Sequence, residues 1–135
     1  MPYRIALILG EFHKEEGLAM KEEATKAAEE NDLTIVDEVW IPGSMEAPLA
    51  AKRLLQRDGV DGLVVLGIIE RGETDHGIVM GQAVVKALID LQLEFMKPIG
   101  MGILGPGIFP SQIASRVRPY ARAATLAVCR MLQEQ

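Results

Sequence analysis

The segment Gly67-Ile68-Ile69-Glu70-Arg71-Gly72-Glu73-Thr74-Asp75-His76 concentrates residue types that can do chemistry. It joins an apolar strand, Leu63–Leu66, to a long apolar helix, and it carries two glycines, a hydroxyl, a run of charges and one of the chain's 2 histidines. Open parallel sheets bind small molecules at the carboxyl ends of their strands, and a histidine placed there can move protons near neutral pH. Glu73 and Thr74 stand just before a helix, where backbone N–H groups and a hydroxyl suit an anion such as phosphate. The same residues have plainer readings: Thr74 or Asp75 as a helix cap, His76 as a surface histidine.

Three other segments have a similar character. Gly10-Glu11-Phe12-His13 follows a first strand, Ile41-Pro42-Gly43-Ser44-Met45-Glu46 a second, and Gly105-Pro106-Gly107 a fourth. A parallel sheet gathers all of them at one edge. Phe12 can stack there on a planar heterocycle, or pack under the first helix. Ser44 and Glu46 can hydrogen-bond a polyol or an amide; Ser44 can also be an N-cap, and Glu46 can favour a helix dipole. Arg116, Arg118, Arg122 and Arg130 lie toward the C-terminus. Arginine is a natural bidentate partner for phosphate, although any one of them can belong to a solvated or interface face. Trp40 reads as core or interface, and Cys129, among Leu126, Val128 and Leu132, as a small buried hydrophobe.

The elements that must position these residues alternate. Strands are expected at Arg4–Leu9, Leu33–Trp40, Asp61–Leu66 and Pro98–Leu104. Helices are expected at Lys14–Asn31, from a Ser44 cap to about Arg57 with Pro48 in the first turn, at Gly77–Phe95, and from Pro110 to about Leu132. This βαβαβαβα order predicts an α/β fold, a three-layer α/β/α sandwich. Right-handed crossovers favour a flavodoxin-like four-stranded parallel sheet of order 2-1-3-4. The third helix is apolar almost all round, which calls for cover on a second side, expected from another subunit.

Composition narrows the function. The 135 residues suggest one domain over 1–135, and 49% of them are hydrophobic against 24% charged. The net charge of −5 without a basic stripe argues against nucleic acid. A single cysteine excludes an internal disulfide, and without a CxxC pattern no metal site is expected. No apolar run is long enough to span a membrane, and Arg4–Leu9 is too short for the core of a signal peptide. A cytoplasmic protein is expected.

Taken together, these motifs resemble the 6,7-dimethyl-8-ribityllumazine synthase family over essentially the whole chain. The resemblance rests on Phe12 after strand one, on Pro42-Gly43-Ser44-Met45-Glu46-Ala47-Pro48-Leu49-Ala50, and on Arg71-Gly72-Glu73-Thr74-Asp75-His76. Gly102-Ile103-Leu104-Gly105-Pro106-Gly107 and Arg116-Val117 resemble its archaeal branch. The resemblance implies condensation of 5-amino-6-(D-ribitylamino)uracil with 3,4-dihydroxy-2-butanone 4-phosphate, releasing phosphate and water, without a cofactor. It implies that Phe12 stacks on the pyrimidine, that Ser44 and Glu46 hold the ribityl chain and ring edge, and that the backbone of Ile68 and Ile69 reads the ring. Met45 and Met101 stand at pocket positions where the family often has larger residues. Glu73 and Thr74 match the phosphate site and His76 the proton-transfer histidine. Arg116 matches a phosphate-binding arginine reaching in from the adjacent subunit, and Arg122 falls near a second basic position, also expected to bind phosphate. The resemblance further implies a homopentamer, alone or stacked into larger shells. Two departures stand out: His13 where the family usually has Asn, and Glu70 where it has an apolar residue. Two rival readings are an archaeal-type riboflavin synthase and a non-catalytic flavin- or lumazine-binding protein.

Overall fold

A computed structural model describes residues 2–134. The chain runs β1 (Tyr3–Gly10), α1 (Lys14–Glu30), β2 (Leu33–Ile41), a 3-10 turn (Ser44–Glu46), α2 (Ala47–Leu55), β3 (Gly62–Glu70), α3 (His76–Phe95), β4 (Ile99–Ile108), a second 3-10 turn (Pro110–Gln112) and α4 (Val117–Gln133). The four strands pair in parallel in the order β2-β1-β3-β4, the order expected from right-handed crossovers.

Strand periodicity divides the core in two. Ile5, Leu7 and Leu9 of β1 and Val64, Leu66 and Ile68 of β3 point to one face, where they meet Met20, Ala24 and Ala28 of α1 and Ala121, Val128 and Leu132 of α4. Ala6 and Ile8, with Leu63, Val65 and Ile69, point to the other, against Leu54 and Leu55 of α2 and Val84 and Leu88 of α3. β3 is buried from Gly62 to Ile69, as a strand covered by helices on both faces must be. Cys129 is buried on the α4 side, and burial pushes its thiol above the ordinary range, with Asp32 adding to the effect.

Four element boundaries differ most from the sequence expectation, and one of them is the end of β4, which runs to Ile108 rather than Leu104. β3 does not end at Leu66 but continues to Glu70, because Gly67 and Ile68 find partners in Ile103 and Leu104 of β4. The connection to α3 therefore shrinks to Arg71–Asp75. Ser44 does not cap a long helix: it opens a 3-10 turn, its hydroxyl makes no capping bond, and α2 begins at Ala47 with Pro48 in its first turn. The last helix begins at Val117, not Pro110. Pro119 supplies the reason. In a helix running from Pro110 it would lie in the interior, lose its bond to the Ser115 carbonyl and clash with it; as third residue of α4 it needs no N–H.

Helix α3 lays Gly81, Val84 and Leu88 on the sheet and leaves Val79 and Leu93, 62% and 66% exposed, on its outer side. At the opposite face α4 crosses β4 so closely that a Cβ on Gly100 would overlap the Ala124 carbonyl oxygen. Backbone cannot give way as a flexible side chain can. Gly100→Ala should therefore lower stability by about 2 kcal/mol or more, read as a lower urea midpoint at unchanged slope. An unchanged midpoint would show that β4 and α4 can separate at no cost.

Candidate active site

All four strands end at one edge, and the cleft lies there. It encloses about 570 Å³. Phe12 approaches from the β1 end and the Pro42–Glu46 turn from the β2 end; Ile68 to Gly72 form the floor, and Thr74, His76, Gly77 and Met80 come from the start of α3. Gly67 shares the α2/α3 face with Val65 and Ile69, and a Cβ there would sit 3.4 Å from the Ser44 hydroxyl oxygen.

Of the residues singled out in the sequence, Phe12, Ser44, Met45, Glu46, Ile68, Ile69, Thr74 and His76 line this cleft. Phe12 and Met45 are 52% and 56% exposed, so two apolar side chains face open space at the mouth. Ile68 and Ile69 have buried side chains and contribute strand backbone to the floor. The first turn of α3 presents helix N–H groups. The Thr74 hydroxyl accepts the His76 backbone N–H at 3.3 Å, while the exposed His76 ring has no hydrogen bond among the described residues.

Four residues lie elsewhere in the single chain. Glu73 is exposed in the Arg71–Asp75 connection but does not line the cleft. Met101 pairs in register with Val65 on β4, well before the strand ends, and packs half-buried on the α2/α3 side. Arg116 stands at the start of α4, where its guanidinium donates to the Gln112 carbonyl at 2.9 Å. It borders a separate shallow depression with Gly105–Ile108 and Tyr120, beyond the β4 edge. Arg122 donates to Glu23 at 3.1 Å and also to Glu30, joining α4 to α1. The bond to Glu30 raises its pKa further above the ordinary arginine value, so its charge is committed to two carboxylates.

Sequence reasoning missed Gly77 and Met80 as cleft residues, and gave Pro42, Gly43, Arg71 and Gly72 no role of their own within the motifs that contain them. Arg71 donates its backbone N–H to Ile108 at 2.7 Å and lays its guanidinium 5.5 Å from the centre of the Phe109 ring. Glu70 also lines the cleft. Its carboxylate meets not Arg71 but the His13 ring, Oε2 to Nε2 at 2.9 Å. Among the described residues no group of three or more His, Cys, Asp or Glu side chains is arranged to hold a metal ion, and no helix is long and apolar enough to cross a membrane.

An open cleft with an aromatic wall, a Ser/Glu pair, strand backbone and a helix N-terminus beside a histidine can bind a planar polar ring at one end and an anion at the other. The sequence model of the family described as 6,7-dimethyl-8-ribityllumazine synthase matches residues 2–135. The chain belongs to that family. A Methanopyrus kandleri protein named 6,7-dimethyl-8-ribityllumazine synthase is 38% identical over 130 residues, covering 96% of this chain and 92% of its own. A Halobacterium salinarum protein of that name is 38% identical over 125 residues, 93% of this chain and 94% of its own. One from Methanoculleus marisnigri is 33% identical over 133 residues, 98% of each chain. The similarity is spread over the chain, as the sequence motifs implied.

The placement of Arg122 leads to a direct check. If its role is to tie α4 to α1 through Glu23 and Glu30, Arg122→Met should lower the melting temperature at low salt, and the difference from the unaltered chain should narrow at high salt as the ion pairs are screened. A loss independent of salt would assign the effect to packing.

Proposed function

We propose that the chain, acting over 1–135 as one lumazine-synthase-like domain, condenses 5-amino-6-(D-ribitylamino)uracil with 3,4-dihydroxy-2-butanone 4-phosphate to give 6,7-dimethyl-8-ribityllumazine, a transferase step of riboflavin biosynthesis. The observation that carries this reading is the meeting of Phe12, Ser44, Glu46, Thr74 and His76 in one cleft of a chain belonging to the family. Residues 1 and 135 of the proposed domain lie outside the described residues.

The chemistry asks for few groups. An amine attacks a ketone, phosphate leaves, and the intermediate tautomerises and closes its ring. In this reading Phe12 stacks on the pyrimidine, Ser44 and Glu46 hold the ribityl hydroxyls, and Ile68 and Ile69 offer backbone groups to the ring, with Met45 at the rim. Glu73 and Thr74 offer N–H and hydroxyl donors to the phosphate at the positive end of α3. His76, exposed beside them, takes and returns protons. Much of the acceleration comes from holding two substrates together, so losing His76 alone is expected to slow turnover without abolishing it.

The leaving phosphate needs a cation. Arg116 is the residue proposed to supply it, reaching into the cleft of a neighbouring copy, and Met101 is proposed to face that neighbour's pocket. Arg122, already paired with two glutamates, is proposed to support the helix that carries Arg116. We infer a homopentamer, single or stacked into shells, working in the cytoplasm. The support for self-association is the apolar outer side of α3, with Val79 and Leu93 exposed. The three relatives named above all carry the synthase name, which does not favour the riboflavin synthase alternative.

Purified protein with both substrates should form the absorbing lumazine faster than the uncatalysed mixture. No excess rate would overturn the reading, and product formed from lumazine alone would favour the riboflavin synthase. If the site is shared, His76→Ala and Arg116→Ala chains, each impaired, should regain activity when unfolded together and reassembled. No recovery in verified mixed assemblies would sink the shared site.

A further inference from the structure

His13 and Glu70, two of the positions at which the sequence reading expected a departure from the family pattern, touch each other. We propose that they form a positioning pair that holds the Phe12 ring in place as the stacking wall of the cleft. The proposal rests on the reading above for the identity of the ring that stacks.

Phe12 sits at the tip of a three-residue connection, Glu11–His13, between β1 and α1. The backbone ties near it are few. The Glu11 N–H donates to the Ile41 carbonyl at 2.8 Å, and the His13 carbonyl accepts the Gly17 N–H at 3.0 Å. Between those ties His13 adopts the left-handed conformation, φ 59 and ψ 58, which L-residues with a side chain disfavour. The Glu70 carboxylate meets its ring at 2.9 Å, with the two side chains only 27% and 25% exposed. The His13 ring in turn meets the Phe12 ring edge-on, centroids 4.3 Å apart and planes 70° apart, a favoured aromatic arrangement.

The chain of contacts therefore runs from the end of β3, through Glu70 and His13, to Phe12. Strand parity makes this possible. Ile68 faces the α1/α4 side, and two residues on, Glu70 faces the start of α1. An apolar residue at 70 would leave His13 without its partner. A His13 without Glu70 would leave Phe12, half exposed, braced by backbone alone. The pair acts through Phe12 on the ring substrate, and its hydrogen bond is separate from the one between Thr74 and His76.

The test compares variants matched in shape. In His13→Gln the amide nitrogen can still donate to Glu70; in His13→Leu nothing can. Both are unbranched at Cβ, so the backbone penalty is matched. His13→Leu and Glu70→Leu should each raise KM for the ribitylaminouracil, and weaken equilibrium binding of the lumazine, roughly tenfold, the equivalent of about 1.4 kcal/mol. KM for the butanone phosphate should stay essentially unchanged. The double variant should be no worse than either single one, since both remove the same bond, and His13→Gln, which keeps a donor for Glu70 but not the ring against Phe12, should recover part of the loss. Equal losses in His13→Gln and His13→Leu, losses that multiply in the double variant, or a parallel rise in both KM values would overturn the proposal. Failure of the reaction itself is read separately. An unaltered chain that binds lumazine without turnover refutes the reaction, and the ratio of lumazine affinities still judges the pair. An unaltered chain that does not bind lumazine refutes both.

Discussion

The arrangement depends on β3, a strand buried on both faces and hydrogen-bonded in parallel to β1 and β4. Parallel pairing sends every strand end to the same edge, so Phe12, the Pro42–Glu46 turn and the start of α3 converge without any long loop to bring them together. Burial on both faces then makes parity strict: shifting β3 by one residue would send Ile68 to the α2/α3 side and Ile69 to the α1/α4 side. The same parity puts Gly67 beside Ser44 and Glu70 toward the start of α1. Stability and site geometry are thus set by one register.

The charges around the cleft bear on how the site is completed. Glu46 and Glu70 line it, and the cation that lines it, Arg71, lies over the Phe109 ring. Arg116 and Arg122 point to other partners, the Gln112 carbonyl and the glutamates of α1. A phosphate bound here by one chain would rely largely on helix N–H groups and the Thr74 hydroxyl. Dipoles of that kind can hold an anion but supply less than a full charge. That shortfall, together with the apolar outer side of α3, is the physical ground for proposing that a second copy completes the site.

Much of this was legible in the sequence because it rested on periodicity. The alternation of apolar strands with helical segments specified the layers and the strand order, and the residues after the first three strands marked the cleft, whereas Gly105–Gly107, expected to join them, lie within β4 and border a separate depression. The errors share one cause: local signals were read without their tertiary partners. Gly67 to Glu70 looked like a loop because glycine and charge punctuate it, yet pairing with β4 carries the strand onward. Ser44 looked like a cap, but in the structure it opens a 3-10 turn. Pro110 looked like a helix start, but Pro119 could be accommodated only in the first turn of a later helix. Apart from these, the ion pairs of Arg122 with Glu23 and Glu30 had no signal in the sequence, because the partners lie far from it along the chain.

Glu70 and His13 carry the same lesson further. Read singly, each is a departure that weakens the match: a carboxylate next to an apolar floor costs desolvation unless it is paired, and a histidine in the left-handed region is disfavoured. Read as a pair at 2.9 Å, each removes the other's cost. The carboxylate gains a donor, and the strained residue gains an anchor. Replacing Glu70 alone with an apolar residue would leave His13 without its acceptor, and replacing His13 alone with an apolar residue would leave the carboxylate without its donor. The two residues therefore keep the geometry of the wall only as a pair that meets in space.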